Sequence, residues 1–170
     1  MDQDVAKIVK ALAYAENGGS PNISSPSAGK TGEMKSIFQF TPDTWKLYAK
    51  QASGQDNLPM TPENEAMVVY HKVSDWKQKG YTPEQIASMW NAGEQRPDAY
   101  KQNWKGVNKK YGVAYDTPAY VNKVTNYMKQ FDSQPQVMTN NQTKNSTPSI
   151  SSNIKMPENK GLLPNLKPLI

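Results

Sequence analysis

Apolar residues recur three and four positions apart in several separate stretches of this chain, and each stretch reads as the buried face of a helix. Val5, Ile8, Val9, Leu12 and Ala15 form the first stripe, and Ala66, Val69, Tyr70, Val73 and Trp76 form another. A shorter one runs through Ile86, Met89 and Trp90, and the last through Tyr120, Val121, Val124, Tyr127, Met128 and Phe131. Thr-Pro dipeptides punctuate the pattern at Thr41-Pro42, Thr61-Pro62, Thr82-Pro83 and Thr117-Pro118. A threonine hydroxyl accepts from an orphan amide of a first turn, and proline fits the first helical position, where its missing N–H costs nothing. Each pair therefore predicts a helix start, and Thr82-Pro83-Glu84-Gln85 completes a capping box. Residues 17–35, rich in Gly, Ser, Pro and Asn, have no helical period and predict a long loop or a small irregular hairpin. Residues 96–113 predict a short helix from Pro97 and a loop through Tyr111-Gly112. The fold class is mainly α, with five to seven helices.

The pattern stops at Asp132. From Ser133 onward Gln, Asn, Ser, Thr and Pro dominate, a composition that cannot bury enough apolar surface to offset its ordering entropy. Residues 1–132 thus read as one domain and residues 133–170 as a disordered polar tail or linker, with a frayed apolar end from Gly161 to Ile170. The tail accounts for part of the low mean hydropathy of −0.82. The formal charge of +5 divides almost evenly between domain and tail, too thin a field to read as a nucleic-acid surface. There is no cysteine, which excludes a disulfide scaffold and a thiol nucleophile or ligand. No apolar run has the length of a membrane span, so no membrane insertion is expected. Residues 2–12 lack a charged segment followed by an apolar run, so no signal peptide is expected either. His71 is the sole histidine and has no companion motif; neither a metal nor another cofactor is expected.

The candidate chemistry begins at Glu16, which closes the first stripe four residues after Leu12 and opens the break Asn17-Gly18-Gly19-Ser20-Pro21. A carboxyl on the border of a buried stripe is desolvated, which favours its protonated form. Glycosidic cleavage needs that property in the acid that protonates the leaving oxygen. By itself Glu16 reads more readily as an exposed glutamate at a helix end, since exposed glutamates are common. Three further segments bear on it: Ser36-Ile37-Phe38-Gln39-Phe40-Thr41-Pro42-Asp43-Thr44-Trp45, then Trp90-Asn91-Ala92-Gly93, then Asp116-Thr117-Pro118-Ala119-Tyr120-Val121.

In order and spacing, these segments together with Glu16-Asn17-Gly18-Gly19 resemble the soluble lytic transglycosylase family of the lysozyme superfamily, across residues 5–131. The chain departs from the family pattern in Asn17 for Ser, Ser36 for Gly and Trp90 for Tyr. The resemblance implies a lysozyme-like fold and cleavage of peptidoglycan between N-acetylmuramic acid and N-acetylglucosamine, with 1,6-anhydro-muramic ends. It makes Glu16 the acid and base, Tyr120 the residue that orients it, and Phe38, Gln39, Trp90, Asn91, Ala92 and Gly93 the substrate-binding set. The amides of Gln39 and Asn91 both donate and accept, as acetamido and hydroxyl groups require. Glu33 is a second candidate carboxylate, whose presence across the cleft would favour a hydrolytic muramidase. A non-catalytic glycan-binding or virion module remains the alternative outside enzymes. The partner implied is the glycan strand, with a virion or secretion apparatus as a further partner through the tail. Action at the cell wall then requires delivery by a phage virion, a phage lysis system or another route.

Overall fold

A computed structural model describes residues 1–19, 36–108 and 112–133. Most of the 17–35 loop, the Tyr111 turn residue and the polar tail beyond Ser133 lie outside the described residues. Within them, five helices and one two-stranded antiparallel sheet follow in the order α1 (Gln3–Glu16), α2 (Pro42–Ser53), α3 (Pro62–Gln78), α4 (Pro83–Ala92), β1 (Lys105–Asn108), β2 (Val113–Asp116) and α5 (Thr117–Ser133). The protein is mainly α, as its periodicity predicts.

Local chemistry explains the helix starts. Asp2 caps α1, its carboxylate accepting from the amides of Asp4 and Val5. Thr41, Thr61 and Thr82 cap α2, α3 and α4 through the amides of Thr44, Asn64 and Gln85, each with proline next in line. At α4 the capping box is complete, because Gln85 returns its side-chain oxygen to the Thr82 amide at 3.1 Å. Replacing Thr82 by alanine is expected to lower unfolding free energy by about 1 kcal/mol, read by denaturant titration. The fourth pair behaves differently. Thr117 begins α5, but its buried hydroxyl serves another residue, and Asp116 accepts from the Ala119 amide at 3.0 Å in its place.

No helix starts at Pro97. Residues 97–103 make successive turns, with the amides of Ala99, Lys101 and Gln102 each donating to the carbonyl three residues back. The chain then enters β1, which pairs with β2 from Lys105 opposite Asp116 to Asn108 opposite Val113. This strand pair lies in a stretch that the helix-and-loop reading assigned otherwise.

α1 packs between α3 and α5; α4 packs on α5, and α2 on α3. Ile8, Leu12, Val68, Val69, Val73, Ile86, Met89 and Val124 are fully buried at the centre. One side of the core is aromatic: Trp90 meets Phe38, Phe40, Tyr48 and Trp76 with ring centroids 5.5–6.4 Å apart, mostly edge to face. That geometry suits the ring quadrupoles. No described helix is long and apolar enough to cross a membrane.

Candidate active site

The end of α1 is closed by glycine. Asn17 donates its amide to the Ala13 carbonyl, Gly18 turns left-handed at φ 67°, and Gly19 donates to the Tyr14 carbonyl at 2.7 Å. This six-to-one closure makes Glu16 the last helical residue. Glycine at 19 is required twice over, by its φ of 83° and because a Cβ there would collide with the Tyr127 hydroxyl. The Ala15 carbonyl, one of the orphans of a helix terminus, accepts from the Lys123 ammonium of α5 at 2.6 Å. Glu16 is half-buried, and its Oε1 accepts from the Tyr120 hydroxyl at 2.7 Å. Burial, then the Glu16 charge and this bond, push the Tyr120 phenol well above its ordinary value. It therefore stays a neutral donor across the neutral range.

Asn17 also reaches forward. Its Nδ2 donates to the Ile37 carbonyl at 2.8 Å, fastening the end of α1 to the turn that precedes α2. In that turn Ser36, Ile37, Phe38 and Phe40 are buried and Gln39 is half-buried. Gln39 adopts φ 54°, a left-handed conformation uncommon for a residue with a Cβ. Its Nε2 donates to the Ser36 carbonyl at 2.9 Å.

The third segment lies on the last turn of α4. Asn91 Oδ1 accepts from the Thr117 hydroxyl at 2.8 Å, and Gly93 ends the helix at φ 101°. Ala92 is half-buried, and its carbonyl accepts from the Arg96 guanidinium at 3.1 Å. Thr117 and Tyr120 stand three positions apart on α5, hence on neighbouring positions of one face. The first turn of α5 thereby holds Asn91 with one side chain and Glu16 with another. Phe38 and Trp90 meet in the aromatic core, Phe38 buried and Trp90 half-buried. Hydrogen bonds and ring contacts thus link all four segments singled out in the sequence. Glu33 lies outside the described residues.

Three charged residues escaped the sequence reading. Glu65, on α3, is 1% exposed, and its Oε2 accepts from the Ser36 hydroxyl at 2.7 Å and the Phe38 amide at 3.2 Å. Burial raises its carboxyl above the ordinary range against the pull of these bonds and one from the Ile37 amide. Lys72, one turn beyond Val68 and Val69, is 6% exposed. Its ammonium pairs with Glu94 at 2.8 Å, donates to Gln51 Oε1 at 3.1 Å, and lies over the rings of Tyr48 and Trp76. Burial works against ionisation of Glu94, but bonds from Lys72, Tyr48 and Trp76 outweigh it and hold the carboxyl below its ordinary value. The signal for two of them was present: Glu65, Val68, Val69, Lys72 and Trp76 keep helical spacing, with charges at positions an apolar stripe would occupy. Among the described residues no buried side-chain polar atom lacks a partner, and no group of three or more His, Asp or Glu is placed to hold a metal.

Comparison with protein-family models, with curated proteins and with solved structures yields no match to this chain.

Proposed function

We propose that this chain cleaves the glycan strands of bacterial peptidoglycan between N-acetylmuramic acid and N-acetylglucosamine, as a lytic transglycosylase. The observation that carries the reading is the Tyr120–Glu16 hydrogen bond, made between residues 104 positions apart and on the same helical turn that grips Asn91. It gives one carboxyl a fixed orientation beside a glycine-closed helix end. Hydrogen bonds and a ring contact tie this helix end to the segments that carry Gln39, Asn91 and Trp90.

The chemistry needs one carboxyl. Glu16, protonated, gives its proton to the glycosidic oxygen as the bond from that oxygen to the muramyl C1 breaks. The substrate's acetamido oxygen bonds to C1 and carries the developing positive charge. The Glu16 carboxylate then takes the proton of the muramyl 6-hydroxyl, whose oxygen attacks C1 and releases the acetamido group. The anhydro ring closes without water, and Glu16 is protonated again. Tyr120, donating to Oε1, fixes the orientation of the carboxyl that gives and takes the proton. Gln39 and Asn91 offer amides to the sugar's acetamido and hydroxyl groups.

The test is digestion of purified peptidoglycan followed by mass spectrometry of the fragments. Anhydro-muramic ends support the reading, and reducing muramic ends would replace it with hydrolysis and turn attention to Glu33. A wall that is bound but never cut would replace it with a binding module. Tyr120→Phe removes the orienting hydroxyl and keeps the ring. It is expected to slow cleavage about tenfold, since small misorientation of a catalytic group is costly. Wall binding should be unchanged, as measured by co-sedimentation.

A further inference from the structure

Gln39 is a strained residue in a turn that would have no reason to hold it were its surroundings not built to do so. A side chain in the left-handed region costs on the order of 1 kcal/mol and persists only where neighbouring contacts over-determine it. Those contacts converge on Ser36. Its carbonyl accepts from Gln39 Nε2, and its hydroxyl accepts from the Phe40 amide at 3.1 Å while donating to Glu65 at 2.7 Å. The same oxygen of Glu65 also takes the amide of Phe38 at 3.2 Å. A single carboxylate thus collects the donors on the near side of the turn, much as a helix cap collects first-turn amides. Asn17, the neighbour of Glu16, holds the opposite side through the Ile37 carbonyl.

We infer that Glu65 is a positioning residue of the candidate site, a buried carboxylate that sets the conformation of the 36–40 turn and so the placement of Gln39 relative to Glu16. Burying an acid at 1% exposure is costly, and an apolar side chain at this position of α3 would pack without that cost. What the carboxylate supplies and an apolar residue cannot is a charged acceptor, Oε2, shared by the Ser36 hydroxyl and the Phe38 amide. Glutamine has nearly the same shape but no charge, so Glu65→Gln weakens these charge-assisted bonds while keeping the volume.

This inference rests on the glycan-cleaving reading for its kinetic test, and a second readout is independent of it. Glu65→Gln is compared with wild type on soluble uncrosslinked glycan strands, well below the midpoint of thermal unfolding of both. The expected result is a fall in kcat of about tenfold. KM should stay within about twofold, because uniform binding is retained. Further cooling should not restore the rate, as it would if the variant were only partly unfolded. In parallel, the side-chain amide signals of Gln39 and the backbone signals of Ile37 and Phe38 are expected to shift in the NMR spectrum. A folded variant with wild-type kcat, or with Gln39 signals unmoved, overturns the inference. If wild type itself cuts no glycan, the functional reading fails and the NMR shifts alone decide whether Glu65 places Gln39. Should Glu65→Gln not fold, Ser36→Ala removes the largest single contact to the carboxylate, and the same two readouts apply to it.

Discussion

Glu16→Gln is expected to lower the rate of glycan cleavage by about a thousandfold or more, the loss typical of removing a general acid–base that serves both halves of a reaction. The amide oxygen of glutamine still accepts from the Tyr120 hydroxyl, so the 2.7 Å bond and the end of α1 survive the change. Neither protonation of the leaving oxygen nor removal of the 6-hydroxyl proton survives it. Thermal unfolding and wall binding should therefore match wild type, while anhydro-muramic fragments disappear from the digest. A variant that cuts at the wild-type rate would exclude Glu16 as the acid. It would also remove the chemical basis of the transglycosylase reading, whatever the fold.

Glu94→Gln is expected to be the most destabilising of the single changes considered, although Glu94 lies outside the proposed chemistry. It removes the countercharge of the Lys72 ammonium, whose side chain is 7% exposed, and leaves neutral amide oxygens and two aromatic faces as its company. Breaking a fully buried pair from one side costs about 3–5 kcal/mol. Glu94 keeps roughly a third of its side chain in water, where ion pairs are screened, so about 2–3 kcal/mol is expected. The pH dependence has a definite sign. The folded carboxyl titrates below its ordinary value of 4.5, so the unfolded chain binds the proton first as pH falls. The pair's contribution is complete above that value and is lost as pH drops through the lower, folded one. Denaturant titrations of wild type and variant should differ most near neutrality and converge in acid, once pH has fallen below the folded carboxyl's lowered value. A difference that persists unchanged into acid would mean that the Glu94 charge is not what the variant loses. Glu94 stands two residues beyond the last turn of α4, which carries Asn91, so the pair ties that end of α4 to Lys72 of α3.

The element inventory was largely legible because its determinants are local. A threonine hydroxyl reaches an amide three residues on, a proline ring fits the first turn, and an apolar stripe needs only the helical period. Those rules act within one or two turns, and α1 to α4 follow them. They fail where a side chain or a strand finds a distant partner. Thr117 spends its hydroxyl on Asn91, 26 residues away, and leaves capping to Asp116. Residues 105–108 and 113–116 pair as antiparallel strands, which no helical period could announce.

The order of the four segments around Glu16, Gln39, Asn91 and Tyr120 was likewise readable along the chain, and it raised the expectation of a glycan-cleaving site. Their meeting was not. It depends on Tyr120 reaching Glu16, Thr117 reaching Asn91 and Asn17 reaching the Ile37 carbonyl, each across a helix–helix or helix–turn boundary. The buried charges make the same point more sharply. A glutamate or lysine in a sequence reads as surface because an unpaired charge is too costly to bury. Only the packing of α2, α3 and the 36–40 turn, with Glu94 beyond α4, supplies the donors and countercharges that make Glu65 and Lys72 interior residues. Sequence alone therefore determined which segments become helices and which of their faces are apolar, since those follow from neighbours in the chain. Which polar groups lie inside, and what they hold in place, was decided by tertiary structure, since the partners that offset their desolvation come from elsewhere in the fold.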